Sequence, residues 1–120
     1  MTPTQIVTAD SQKRGIDPRR ILRAMKKDVH DGKGIVLHTN NSVLFGHYID
    51  NGDMELHLFS VDSPLQLMHS LKEFIKHIRS SKLRAVYGHA DNEGIVQFLK
   101  KAGVDVQPSD KPKFNWMALV

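Results

Sequence analysis

Cysteine is absent from the 120 residues, which excludes disulfides, thiolate metal sites and a thiol nucleophile, and fits a reducing compartment. No apolar run approaches the roughly 20 residues that span a bilayer. Residues 1–10 lack the basic-then-apolar order of a secretory leader, so a cytoplasmic or virion-packaged location and no membrane partner are expected. No repeat, low-complexity tract or long linker interrupts the chain, and a single domain over 1–120 is expected. Aromatic residues are sparse at 7%, yet apolar residues reach 40% and charged residues 25%, the balance of a globular protein. Neither sign of charge dominates: 17 Lys+Arg face 13 Asp+Glu, a net +4. That permits an anionic partner (a nucleotide cofactor, nucleic acid or an acidic protein surface) without requiring one.

What is present reads as alternating strands and helices. A short strand is expected over 5–9. Asp17 and Pro18 mark a helix start, as N-cap and first helical residue. Ile21, Leu22, Met25 and Val29 then share a helical face, and Gly32 and Gly34 end the segment. Three strands follow over 35–39, 43–50 and 54–61. The last two are joined by Asn51-Gly52, whose positive-φ preference signals a tight hairpin. Asp62, Ser63 and Pro64 start a second helix with an apolar stripe from Leu67 to Ile78. A strand over 83–88, a helix capped by Asp91 and Asn92 and ended by Gly103, and strands over 104–107 and 114–120 complete the order. The strand–helix–strand unit from 54 to 88 implies a parallel pair, because a crossover helix joins those strands. The fold class expected is α/β, a mixed and mostly antiparallel sheet flanked by helices.

Several residues invite a function and an ordinary alternative. Seven histidines occur, but His69 and His77 stand eight apart and no metal-binding spacing such as H-E-x-x-H appears, so no metal is expected. His38, His47 and His57 sit on neighbouring strands and could approach one another. The basic run Lys13, Arg14, Arg19, Arg20, Arg23, Lys26 and Lys27 could meet phosphate. No aromatic interleaves with it, and a solvated helix face explains it as well. Phe114, Trp116 and Met117 form either a contact surface or one face of a buried strand.

The element order, together with residues 92–104, resembles the GNAT (N-acetyltransferase) superfamily. Its members tend to carry N-x-x-A-x-x-x-Y-x-K-x-G-F after a strand. Here Asn92, Lys101 and Gly103 fall in register, and Val104 stands where an aromatic is usual. The resemblance implies a splayed central parallel strand pair and acetyl-CoA as cofactor. It places Glu55 as the candidate catalytic base. Phe59, Ser60, Val61, Ser63 and Asn92 would be the cofactor-binding residues.

Two departures oppose catalysis. The family's Q/R-x-x-G-x-G/A loop, whose backbone N–H groups hold pyrophosphate, is replaced by Val61 to Met68 with no glycine. Pro64 brings no N–H, and Asp62 adds a carboxylate. The Tyr that protonates the leaving thiolate in many relatives is Leu99 here. The expectation is therefore a GNAT-fold protein that acts by binding a protein partner, similar to the acetyltransferase-like virion and host-interaction proteins of tailed bacteriophages. The alternatives are an acetyl-CoA-dependent N-acetyltransferase and a nucleic-acid-binding domain. GNAT-like domains often pair, sometimes through terminal strands, so a homodimer is compatible with the resemblance.

Overall fold

A computed structural model describes residues 1–50, 52–89 and 93–120. Among these, four helices flank one six-stranded mixed sheet. The first element is a helix, α1 (Pro3–Lys13), and not the strand expected over 5–9. The reason lies at its start. Thr2 Oγ1 accepts the Gln5 N–H at 3.2 Å, and the Gln5 side chain accepts the Thr2 N–H at 2.9 Å. With Pro3 in the first turn, this capping box outweighs the β-branched run Ile6-Val7-Thr8. Ile6, Val7 and Ser11 are buried at helical spacing.

Helix α2 (Arg19–His30) begins one residue later than expected, with Asp17 Oδ1 accepting the Arg19 N–H at 3.0 Å. Met25 is its buried residue, whereas Val29 is 47% exposed and leaves the expected apolar face. The meander follows as β1 (Gly34–Thr39), β2 (Ser42–Asp50) and β3 (Asp53–Ser60). Gly52 at φ +83° supplies the turn between the last two, and Asn51 lies outside the described residues. Helix α3 (Pro64–Arg79) starts where expected, with Ser63 Oγ accepting the Gln66 N–H at 3.4 Å. Strand β4 (Ala85–Gly88) precedes α4 (Glu93–Lys101), whose expected caps Asp91 and Asn92 lie outside the described residues. Strands β5 (Asp105–Pro108) and β6 (Trp116–Leu119) close the chain.

The sheet order is β1-β2-β3-β4-β6-β5, antiparallel except for the parallel β3–β4 pair that the crossover helix requires. The last strand lies inside the sheet, paired to β4 and β5, so its edges cannot recruit a second chain. Phe114, Trp116 and Met117 are buried, which removes them as a contact surface. Two cores form. Ile6, Val7 and Met25 pack on Val43, Phe45 and Phe59 on the α1/α2 face. Leu71, Phe74 and Leu99 pack on Leu44, Leu56 and Trp116 on the α3/α4 face. Among the described residues no helix is long and apolar enough to cross a membrane.

Candidate active site

The parallel pairing of β3 with β4 is short. It runs Asp53↔Ala85, Met54↔Val86 and Glu55↔Tyr87, and there it stops. Strand β3 continues to Ser60 with β2 on one side and, among the described residues, an open edge on the other. Val61 N–H donates to the Asn41 carbonyl at 3.0 Å, so the polar groups of Phe59 and Val61 face β2. Strand alternation therefore turns those of Leu58 and Ser60 toward the opening.

Glu55 stands at the apex of this gap and is not the solvated strand residue that its sequence position also allowed. Its side chain is 12% exposed, with Oε1 3.3 Å from His57 Nε2 and Oε2 3.1 Å from His89 Nε2. The contact with His57 is the main cause that lowers its pKa from 4.5 to about 2; partial burial opposes the shift and His89 adds to it. At that value the carboxylate is a weak base and a strong anchor for imidazole. The His57 ring stacks on Phe45 at 5.8 Å, and the His89 ring leans on Phe114 at 5.3 Å.

The position of His89 depends on a glycine. A Cβ at Gly88 would lie 2.2 Å from the Trp116 ring, so only glycine lets the indole cross here. Trp116 Nε1–H then donates to the His89 carbonyl at 3.2 Å. His38 and His47 do not join the cluster: His38 contacts the Asn40 carbonyl at 3.0 Å, and His47 pairs with Asp28 of α2 at 2.7 Å. Among the described residues no group of three or more His, Cys, Asp or Glu is spaced to hold a metal ion.

Two clefts meet at the gap. One, on the α1/α2 face, is lined by Ser11, Arg14, Ile21, His57 and His89. The other runs past Ser60, Pro64, Leu67, Ile95 and Lys101. Arg14 and Leu58 line both. Arg14 pairs with Asp10 at 2.8 Å and lies over the Phe59 ring at 5.6 Å, so part of the basic run is already engaged.

Among the expected cofactor residues, Phe59 is buried and Ser63 is spent on capping α3. Ser60 Oγ joins a hydroxyl network, 2.6 Å from Ser42 Oγ and accepting the Asp62 N–H at 3.1 Å. Asp62 is the hub of that network. Its carboxylate accepts from Asn41 N–H at 3.1 Å, Ser42 Oγ at 2.6 Å and Ser70 Oγ at 3.4 Å. It is thus tied to the β1–β2 turn rather than left loose at the helix start. Asn92 lies outside the described residues. Leu99, at the family's Tyr position, is buried in the α3/α4 core. Tyr87 is fully buried with its hydroxyl donating to Asp110 at 2.7 Å, which commits it to structure. Sequence reading missed His89, which lies 34 residues from Glu55 and carries no motif.

This architecture is the GNAT fold. No family model matches the sequence and no curated protein matches it, so the likeness lies in the structure. PseH, an N-acetyltransferase of Campylobacter jejuni solved with acetyl coenzyme A, superposes with a TM-score of 0.60 at 14% identity, covering 100% of this chain and 92% of that one. A ribosomal-protein-alanine N-acetyltransferase from Brucella melitensis gives 0.58 at 12% identity over 88% and 80% of the two chains. A GNAT-family acetyltransferase of Streptococcus pneumoniae gives 0.51 at 14% identity over 86% and 74%.

Proposed function

We propose that this chain transfers an acyl group from a pantetheine thioester such as acetyl-CoA to an amine. The observation that carries the reading is the gap beyond Glu55↔Tyr87, with a carboxylate held between two imidazoles at its apex. The open β3 edge at Leu58 and Ser60 fits the pantetheine arm, which can take the place of the missing strand. The pyrophosphate fits less well: Pro64 has no N–H and Ser63 already contacts that of Gln66. Arg14 and Lys101, beside the cleft, would supply positive charge in place of the glycine loop.

A bound thioester supplies an activated carbonyl that an amine can attack directly. The chain's own part is to position the amine on the α1/α2 face and to take its proton. The ring nitrogen that Glu55 does not hold, Nδ1 of His57 or of His89, is suited to that, since imidazole carries protons near neutral pH. Glu55 orients both rings and stabilises the imidazolium that forms. No tyrosine stands ready to protonate the thiolate, so direct transfer depends chiefly on positioning.

A second reading is a non-catalytic GNAT-fold protein of the phage virion or host-interaction type that binds a protein partner in the cytoplasm. It is favoured by the glycine-free start of α3 and by Leu99 in the core. Titration calorimetry with acetyl-CoA and CoA separates the two. Micromolar binding supports the transferase; no binding at millimolar cofactor removes acetyl-CoA as donor and favours the binding protein.

A further inference from the structure

The helices on the second face leave a space between them. Helix α3 rests on β1 and β2, and α4 rests beside β5. The strands in the middle of the sheet lie beneath the interval. That interval holds an apolar cavity of about 50 Å³. Leu56, Val86 and Trp116 form its floor, while Phe74 and Ile78 of α3 and Leu99 of α4 form its walls. Among the described residues Arg79 is the one charged residue that lines it. Leu58, Leu71 and Ile95 line both this cavity and the cleft along the open edge of β3. The cavity therefore adjoins the place where a thioester would react.

Protein interiors are packed nearly as densely as organic crystals, and voids in them are few. A pocket this apolar offers water few polar partners and favours apolar guests. A sugar, nucleotide or acidic group would lose its hydration without compensation. A hydrocarbon chain loses nothing on entry. The volume is about a third of that of an engineered cavity that admits benzene, which leaves room for a few methylene groups and not for a long fatty chain.

We propose that this cavity receives the hydrocarbon tail of the donor, so that the group transferred is a short-chain acyl group longer than acetyl. The inference rests on the acyl-transfer reading above. It adds a substrate class to the donor side, and it accounts for a cavity that acetyl transfer leaves unused. The acyl-pantetheine moiety is common to acyl-CoA and to an acyl group borne on a carrier protein. The weak pyrophosphate site makes that distinction worth testing.

The test compares acetyl, butyryl and hexanoyl thioesters of CoA by calorimetry, and the same thioesters of pantetheine by methyl NMR. Burying a methylene improves affinity about fourfold, so butyryl, two methylenes longer, should bind about fifteenfold more tightly than acetyl. The methyl resonances of Ile75, Val86 and Leu99, which line the cavity and not the cleft, should shift with butyryl and not with acetyl. Equal affinity across the series, or binding without those shifts, overturns the proposal. If the pantetheine thioesters show the chain-length effect and the CoA thioesters do not bind, the cavity assignment stands and CoA falls as donor. If neither set binds at millimolar concentration, the proposal and the transferase reading fall together. Ala118→Leu, which adds methyl groups to a residue lining the cavity, should bring the butyryl-to-acetyl ratio toward one. Ile75→Phe serves the same purpose from the helix side, should the strand variant fold poorly.

Discussion

The two faces of the sheet differ most where they come closest, on either side of the gap between β3 and β4. On the α1/α2 face, Glu55 and His57 alternate with the apolar Phe59, and His89 joins them from the end of β4. On the α3/α4 face the intervening residues of the same strand, Leu56 and Leu58, meet an apolar cavity. One strand thus presents proton-carrying groups to one side and hydrocarbon to the other, because successive side chains of a strand point to opposite faces. The lesson is chemical. An amine to be deprotonated and an acyl tail to be buried need opposite environments within one site, and a single extended segment can provide both.

Removing Trp116 should break the comparison most severely. The indole lines the cavity on one face and fixes the His89 backbone for the other. Trp116→Ala is expected to cost about 3–5 kcal/mol in chemical denaturation, in line with large aromatic truncations in a core. A destabilisation below 1 kcal/mol would mean that the indole does not couple the two faces. Next in size, His57→Gln should lower the rate of transfer to an amine by roughly 10²–10⁴, as expected for loss of a general base. If His89→Gln is the more damaging variant, the proton passes through the β4 side.

Asp62 tests why the cofactor end of the cleft departs from the family pattern. Asp62→Ala strands the Asn41 N–H, at about 1–3 kcal/mol for a buried group left unpaired, and leaves the Ser42 and Ser70 hydroxyls only their Ser60 and Thr39 partners. It also removes a negative charge beside the start of α3, so CoA affinity should rise even as the melting temperature falls. Unchanged affinity would show that this carboxylate does not govern pyrophosphate binding.

Glu55 gives a pH signature. Its pKa is lowered from 4.5 to about 2, so its contribution to stability is complete above pH 4.5 and fades as pH falls toward 2. Glu55→Gln should therefore be less stable than the parent chain above pH 4.5, with the two urea midpoints converging as the solution is acidified. A constant difference across that window would contradict the pairing with His57 and His89. The smallest effect belongs to the first helix: Thr2→Ala should cost about 1 kcal/mol by removing the α1 cap. Loss of helical circular dichroism should accompany it.

Much of the fold was legible because its signals are local. Asp62, Ser63 and Pro64 announce α3, alternation and a glycine turn announce the meander, and the crossover between 54 and 88 dictates a parallel pair. The error at α1 was also local: a capping box at Thr2 and Gln5 competed with a β-branched run, and the cap prevailed. The GNAT resemblance points to Glu55, and strand alternation puts it on one face with His57 and Phe59. Its anchoring role was not visible, since it depends on His89 being brought across the sheet.

The sequence by itself determined the elements, their order, the central parallel pair and the absence of a glycine-lined phosphate loop, because each depends on neighbours along the chain. Only the tertiary structure decided where β3 and β4 part, which histidines close on Glu55, that β6 lies inside the sheet, and that α3 and α4 enclose a cavity. Those outcomes depend on the packing of residues far apart in sequence, set here by an indole crossing Gly88 and by helices resting on opposite parts of the sheet. No local pattern encodes such distances.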